Sequence, residues 1–207
     1  MEIIRYSAAG EMNKIRQYDN QDSMFDKRCR NYIAAAVSDG AGSCKHSAIA
    51  SNVACNAAVN YWINNISFIK KAACELIAEN TMTVVQYSLM KAAKTNKHDY
   101  KDYCCTLVMC LINKKSGELI TLHVGDGSIY ELEADGMNRI SDPQNGLFRY
   151  QTFFVNQDNS IEHCRVQKRR SKNGIMLCSD GLDSLFPVRA RGQGKRPCRE
   201  RNRSCGC

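Results

Sequence analysis

Cys104–Asp126 reads CCTLVMCLINKKSGELITLHVGD, two apolar runs joined by Lys114-Lys115-Ser116-Gly117. Beyond Tyr103 the hydrophobic period changes from helical to strand-like, and this stretch predicts a β-hairpin. Downstream, GSIYELEAD and MNRIS flank a turn at Asp135-Gly136 and predict a second hairpin. YQTFFVN, SIEHCRVQK and, after Asn173-Gly174, IMLCSDG continue the strand series, and DSLF follows as a short helical piece. Upstream, two helices are expected over about 47–65 and about 69–95. The second carries Ile69, Ala72, Ala73, Leu76, Ile77, Val84, Tyr87 and Leu89 at helical spacing, with lysines in its last turns. Tyr32–Ser38, YIAAAVS, is apolar on both faces, as a strand inside a layered domain should be. MEIIRYSAA reads as a strand at the start, and the stretch containing DNQDSMF reads as polar connection. Many strands with one helical pair inserted early predict an α+β domain of stacked sheets covered by helices.

At 207 residues with 43% apolar and 24% charged content, the chain can bury a sizeable core and is not of disordered composition. Its twelve cysteines lie largely in apolar stretches such as CCTLVMCLI and IMLCSD. With Glu2 and Arg5 interrupting any apolar leader, they are expected to be reduced thiols in a cytoplasmic protein. No membrane span is expected, because the longest uncharged run, Ser47–Ile69, contains five asparagines. Asn52, Asn56, Asn60 and Asn64 recur every fourth residue and draw a polar stripe opposite Ala50, Ala54, Ala58 and Trp62.

The net charge of +8 is concentrated at one end. Residues 188–207, VRARGQGKRPCRERNRSCGC, hold six Arg and one Lys against one Glu, so +6 of the +8 sits there. The expected division is a folded domain over 1–187 and a basic Arg/Gly/Cys-rich tail over 188–207, disordered in isolation. The arginines lack interleaved aromatics and the domain is nearly neutral, which argues against a nucleic-acid partner. The oligomeric state is left open.

Four short acidic motifs carry the chemistry: Asn20-Gln21-Asp22, Ser38-Asp39-Gly40, Val124-Gly125-Asp126-Gly127 and Ser179-Asp180-Gly181. Asp-Gly pairs make turns for ordinary reasons, and any one of these could be only that. Three of the aspartates, however, directly follow the apolar runs AAAVSD, ITLHVGD and IMLCSD, which puts carboxylates where buried strands reach a rim. Hard divalent cations prefer such oxygen donors, and a carboxylate cluster suits two ions about 3.5–4 Å apart with a water for attack on phosphorus. No Cys/His set has the paired spacing of a zinc site.

NQD, VSDGAGS with its small-residue helix, CCTLVMCLI, HVGDGSIY, QTFFV and IMLCSDGL occur in an order that resembles the metal-dependent serine/threonine protein phosphatases of type 2C. The DGAGS form with its trailing Lys-x-Ser looks most like a bacterial branch. The likeness runs from about residue 5 to residue 187. It implies a four-layer α-β-β-α sandwich of two antiparallel sheets flanked by helical pairs, with the last part missing. It also implies a signalling hydrolase acting on phosphoserine or phosphothreonine in a protein substrate, through a water activated at a dinuclear Mg²⁺ or Mn²⁺ site. By the same resemblance Asp39 bridges two metal ions, the Gly40 carbonyl binds one and Asp180 the other. Asp22 stands beside them, and Asp126 belongs to a third, weaker site. Arg16 is one residue out of register with the family's phosphate-contacting arginine.

There are departures. Gln21 stands where the family often has a metal-binding glutamate. Ser184 stands where another acidic residue is common, with Asp183 beside it. The tail contains no Asp to match the family's final metal ligand. The change of composition at Val188 points to a truncated or frame-shifted end, and one carboxylate fewer should weaken the hold on at least one ion. These departures keep a second reading open, a catalytically weak phosphatase-like domain that binds phosphorylated partners. His46, seven residues after Asp39, is a further candidate, as general acid.

Overall fold

Every side chain from Leu107 to Ile112 is buried, although successive residues of a strand point to opposite faces. Leu107, Met109 and Leu111 enter one apolar cluster, and Val108, Cys110 and Ile112 enter another. A strand covered on both faces needs no polar side, which is why this stretch shows no alternation. The computed structural model describes residues 2–8, 20–134, 136–144 and 152–180.

The elements are β1 (Ser23–Cys29), β2 (Tyr32–Ser38), α1 (Ser47–Asn64), α2 (Ile66–Lys71), α3 (Cys74–Asn96), β3 (Leu107–Asn113) and β4 (Glu118–Val124). They continue as β5 (Ser128–Glu133), β6 (Gly136–Ser141), α4 (Ser160–His163), β7 (Arg165–Arg170) and β8 (Gly174–Cys178). Five strands form a sheet in the order β1-β2-β3-β4-β7, and three form a second in the order β6-β5-β8. All named pairings are antiparallel. One cluster fills the space between α1, α3 and the five-stranded sheet; the other, with Ile33, Leu119, Ile129 and Ile140, fills the space between the sheets. The α+β class and the two stacked antiparallel sheets are thus as the sequence predicts. Three of the four layers implied by the resemblance are built from described residues; DSLF and the tail 188–207 lie outside them.

The predicted hairpins β3–β4 and β5–β6 form, with Leu107 opposite Val124 and Leu132 opposite Met137. Helix α1 buries Ala50, Ala54, Ala58 and Trp62 completely. The asparagine stripe runs along its other side, where Asn56 and Asn60 donate to the carbonyls of Asn52 and Asn56 at 2.9 and 2.8 Å. Trp62 Nε1–H donates to Thr81 Oγ1 of α3 at 2.9 Å, a buried bond tying the two helices together. Thr81→Val keeps the shape but orphans this indole N–H, and should destabilise the fold by about 1–3 kcal/mol. A urea titration of both proteins measures that difference.

Five expectations need correction. Residues 2–8 join no sheet; Ile3 instead packs into the cluster between the sheets, and Arg5 pairs with Asp26 of β1. The stretch around SMF, read as polar connection, is strand β1, an edge strand whose polar residues are accommodated because one side of it is open. The predicted second helix is broken at Ala72-Ala73, both extended, into α2 and α3. Lys168 of β7 donates to the carbonyls of Lys70 and Ala72 there, at 2.8 and 2.6 Å, so the break leaves those acceptors satisfied. In YQTFFVN, Thr152 makes a lone bridge and Phe153–Asn156 runs as loop and turn, with the Val155 amide held by Cys105 O at 2.9 Å. SIEHCRVQK is divided between α4 and β7.

Candidate active site

Strand register brings the acidic motifs to one rim. Ser23 at the start of β1 pairs with Ser38 at the end of β2, and Leu107 at the start of β3 pairs with Val124 at the end of β4. In the second sheet Ser128 at the start of β5 pairs with Cys178 at the end of β8. Asp22 therefore precedes β1, Asp39 follows β2, Asp126 lies between β4 and β5, and Asp180 follows β8, all at the same end of the sandwich. A cleft of about 390 Å³ opens there, and Asn20, Gln21, Asp22, Asp39, Gly40 and Asp180 are among its lining.

Asp39 is the centre of this group. Its carboxyl is pushed up from 3.8 to about 9, first by burial, then by the charge of Asp22 and a hydrogen bond shared with it, then by Asp180 and Asp126. Like charges crowded into a half-buried place keep a proton unless a cation takes its position. The sign of the pH dependence follows. The folded chain holds a proton that the unfolded chain loses between pH 3.8 and about 9. Without divalent cations, this contribution to stability is present below that window and is lost as the pH rises through it. Thermal unfolding in chelator across this range should show the midpoint falling with pH, and added Mn²⁺ should raise it at the alkaline end.

The backbone around Asp39 is fixed from three sides. Its amide donates to Thr106 Oγ1 at 3.0 Å, its carbonyl accepts from the Thr106 amide at 2.9 Å, and Ser38 Oγ donates to Thr106 O at 2.5 Å. Gly40 pairs with Cys105, and the Ala41 amide donates to Cys104 O at 3.0 Å. A Cβ on Gly40 would lie 2.7 Å from Ser47 O and 2.8 Å from Gln21 O, so no side chain fits between helix α1 and the Gln21 backbone.

The neighbouring carboxylates have holders of their own. Ser179 Oγ donates to Asp22 Oδ2 at 3.0 Å, and Thr152 Oγ1 donates to Asp126 Oδ2. Gly125, at φ 108°, is held through its amide by Gln144 Oε1 at 3.0 Å, while its carbonyl accepts from the Gln144 amide at 2.8 Å and faces buried His123 Nε2 at 2.9 Å.

Asp22, Asp39, Asp180 and the Gly40 backbone offer oxygen donors, which fits a hard divalent cation. Among the described residues, no three His, Cys, Asp or Glu side chains already converge as a ligand cage. Gln21 lines the cleft but adds no charge. His46 is not among the cleft-lining residues; its ring stacks on His98 with centroids 3.5 Å apart. Arg16, Asp183 and Ser184 lie outside the described residues. The sequence reading missed Thr106, Thr152 and Gln144. Ser179 was within the quoted SDG motif, but nothing local marks Gln144, which reaches Gly125 from beyond β6.

Comparison with known proteins agrees with this architecture. The family model described as Protein phosphatase 2C matches residues 9–197. No curated protein matches. Among solved structures, a bacterial serine phosphatase aligns with TM-score 0.64 at 18% identity, covering 80% of this chain and 74% of that one. The serine/threonine phosphatase Stp1 from Staphylococcus aureus aligns with TM-score 0.62 at 17% identity, over 86% and 75%. The S. agalactiae serine/threonine phosphatase aligns with TM-score 0.61 at 17% identity, over 81% and 76%. At these identities the structures speak for the fold alone. No helix among the described residues is long and apolar enough to cross a membrane.

Proposed function

Since the chain belongs to the protein phosphatase 2C family, we propose that it hydrolyses phosphoserine or phosphothreonine in protein substrates, with Mg²⁺ or Mn²⁺ held at the Asp39 rim. The observation that supports this best is the meeting of Asp22, Asp126 and Asp180 around Asp39, whose carboxyl is pushed up to about 9 first by burial and then by their charge. In this proposal Asp39 and the Gly40 carbonyl would hold one ion, Asp39 and Asp180 a second, with Asp22 beside them and Asp126 serving a third. Bound there, such cations supply the Lewis acidity that activates water and offsets phosphoryl charge.

The chain's own part is positioning. The two Thr106 bonds fix the direction of the Asp39 backbone, and the Ser179 hydroxyl orients Asp22. No Lys or Arg is among the described residues lining the cleft. Arg16, one residue out of register with the family's phosphate-contacting arginine, is the candidate for the phosphate contact.

The test is hydrolysis of p-nitrophenyl phosphate and of a phosphothreonine peptide by the full chain, with Mn²⁺ or Mg²⁺ and with chelator. Metal-dependent turnover that chelator abolishes is the expected result; turnover untouched by chelator overturns the metal mechanism. A second reading has its own support in Gln21, a neutral residue lining the cleft where the family often has a metal-binding glutamate. It is a domain that binds phosphorylated partners without turning them over. Phosphopeptide binding measured calorimetrically, with no release of phosphate, would favour it.

A further inference from the structure

Two thiols face each other across the seam that holds the Asp39–Gly40 turn. Cys44 Sγ and Cys104 Sγ both point to the carbonyl of Lys101, at 3.8 and 3.1 Å, so one oxygen brings the two thiols together, and Cys44 is among the groups that shift the Cys104 thiol. Their backbones are joined through a single residue: the Cys44 amide donates to Ala41 O at 2.9 Å, and the Ala41 amide donates to Cys104 O at 3.0 Å. Both cysteines are half-buried, and Cys44 sits among the exposed loop residues Gly42, Ser43 and Lys45. Cys55 and Cys105 are also neighbours, but both are fully buried, out of reach of an oxidant in water.

We propose that Cys44 and Cys104 are an oxidation site, closing to a disulfide that staples the Asp39–Gly40 turn to the segment entering β3. The oxidant class is a peroxide. The Cys44 thiolate attacks one peroxide oxygen; an S–O bond forms, the O–O bond breaks, and hydroxide leaves to become water. Cys104 then attacks the sulfenic sulfur of Cys44; the S–S bond forms, the S–O bond breaks, and the departing hydroxide takes the Cys104 proton. In sum, two thiols and one hydrogen peroxide give one disulfide and two waters. Burial first, then contact with Cys44, pushes the Cys104 thiol up to about 12, so Cys104 is the poorer nucleophile toward peroxide and the first step falls to Cys44.

The bond would reinforce contacts already present, because Cys104 O and the Cys105 bridge hold Ala41 and Gly40 in the reduced chain. Oxidation should therefore suppress local opening of this turn. The proposal does not depend on the chain being a phosphatase, and its test does not use activity.

The full chain is titrated with hydrogen peroxide, free thiols are blocked, and digests are mapped by mass spectrometry. Hydrogen exchange at the Ala41 amide is followed in parallel. The expected result is that a Cys44–Cys104 cross-linked peptide, lighter by two hydrogens than its reduced parts, forms before any other. Dithiothreitol should reverse it, Cys44→Ser and Cys104→Ser should each lose it, and Ala41 exchange should slow when it forms. Recovery of Cys44 and Cys104 as separate sulfinic acids would overturn the proposal, as would preferential pairing of either with Cys198, Cys205 or Cys207. The wild-type map decides this even if a variant folds poorly.

Discussion

Asp39→Asn is expected to lower the hydrolytic rate by about 10³-fold or more, while leaving the cation-free fold as stable as before or more stable. The two effects have one cause. Asp39 is pressed by the charges of Asp22, Asp180 and Asp126 in a half-buried place, an arrangement that costs the isolated chain stability at neutral pH. Asparagine keeps the shape and is neutral without a proton, so the cation-free protein no longer has to take one up on folding at neutral pH, and it gains. It also removes the carboxylate proposed to bridge two ions, and Lewis-acid stabilisation of several kcal/mol corresponds to the stated loss in rate. A merely structural aspartate would behave in the opposite way, with stability falling and activity following it. Urea titration in chelator and turnover with saturating Mn²⁺, measured on the same preparations, separate these cases. A destabilised variant with near-normal turnover would sink the assignment.

Gly40→Ala is expected to be the more damaging of the two for the fold. The added Cβ would stand 2.7 Å from Ser47 O and 2.8 Å from Gln21 O, and both obstacles are backbone atoms that cannot rotate away. Helix α1 begins at Ser47, and Ser51 of the same helix holds Gln21 O at 2.6 Å, so relief requires moving the helix start, the turn or β1's approach. Overpacking of this kind costs about 1–3 kcal/mol, and more where the obstacle is rigid. Because the displaced segment carries Asp39 on one side and Asp22 on the other, divalent affinity should fall with it. Gly42→Ala is the internal control. Its Cβ would meet only the Gln21 side chain, at 3.7 Å, an ordinary contact, and it should leave both stability and Mn²⁺ affinity near the parent values. Calorimetric Mn²⁺ titration and thermal unfolding of the two variants test this; equal behaviour would show that the tight approach at Gly40 is not what holds the turn.

Much of the fold was legible because burial on two faces leaves a trace in sequence. Leu107–Ile112 has no polar position, and the turn signals Lys114–Gly117 and Asp135-Gly136 punctuate the sequence between the strand patterns. Helix α1 announced itself through two stripes, asparagine and alanine, on opposite sides of one cylinder. The errors fall where tertiary contacts override local pattern. SMFDKRC does not look like a strand until β2 offers it a partner. The break at Ala72-Ala73 carries no Gly or Pro, and a lysine from β7 donates to the carbonyls of Lys70 and Ala72 there. Phe153, in a stretch with strand-like composition, instead stacks on His163 with centroids 3.5 Å apart.

The sequence by itself determined the two-sided burial of the central strands, the antiparallel hairpins and the presence of acidic residues where those strands end. Each of these follows from the period of side chains along the chain, which is a local property. It could not decide that four aspartates from separate motifs gather at one rim, three of them lining one cleft. That depends on register: Ser23 opposite Ser38, Leu107 opposite Val124 and Ser128 opposite Cys178 align the strand ends of two sheets at one rim. Nor could it show that Thr106 anchors Asp39, that Gln144 clamps Gly125, or that Cys44 meets Cys104. These are pairings between segments far apart in the chain, set by packing across sheets and loops, and no spacing within a segment encodes them.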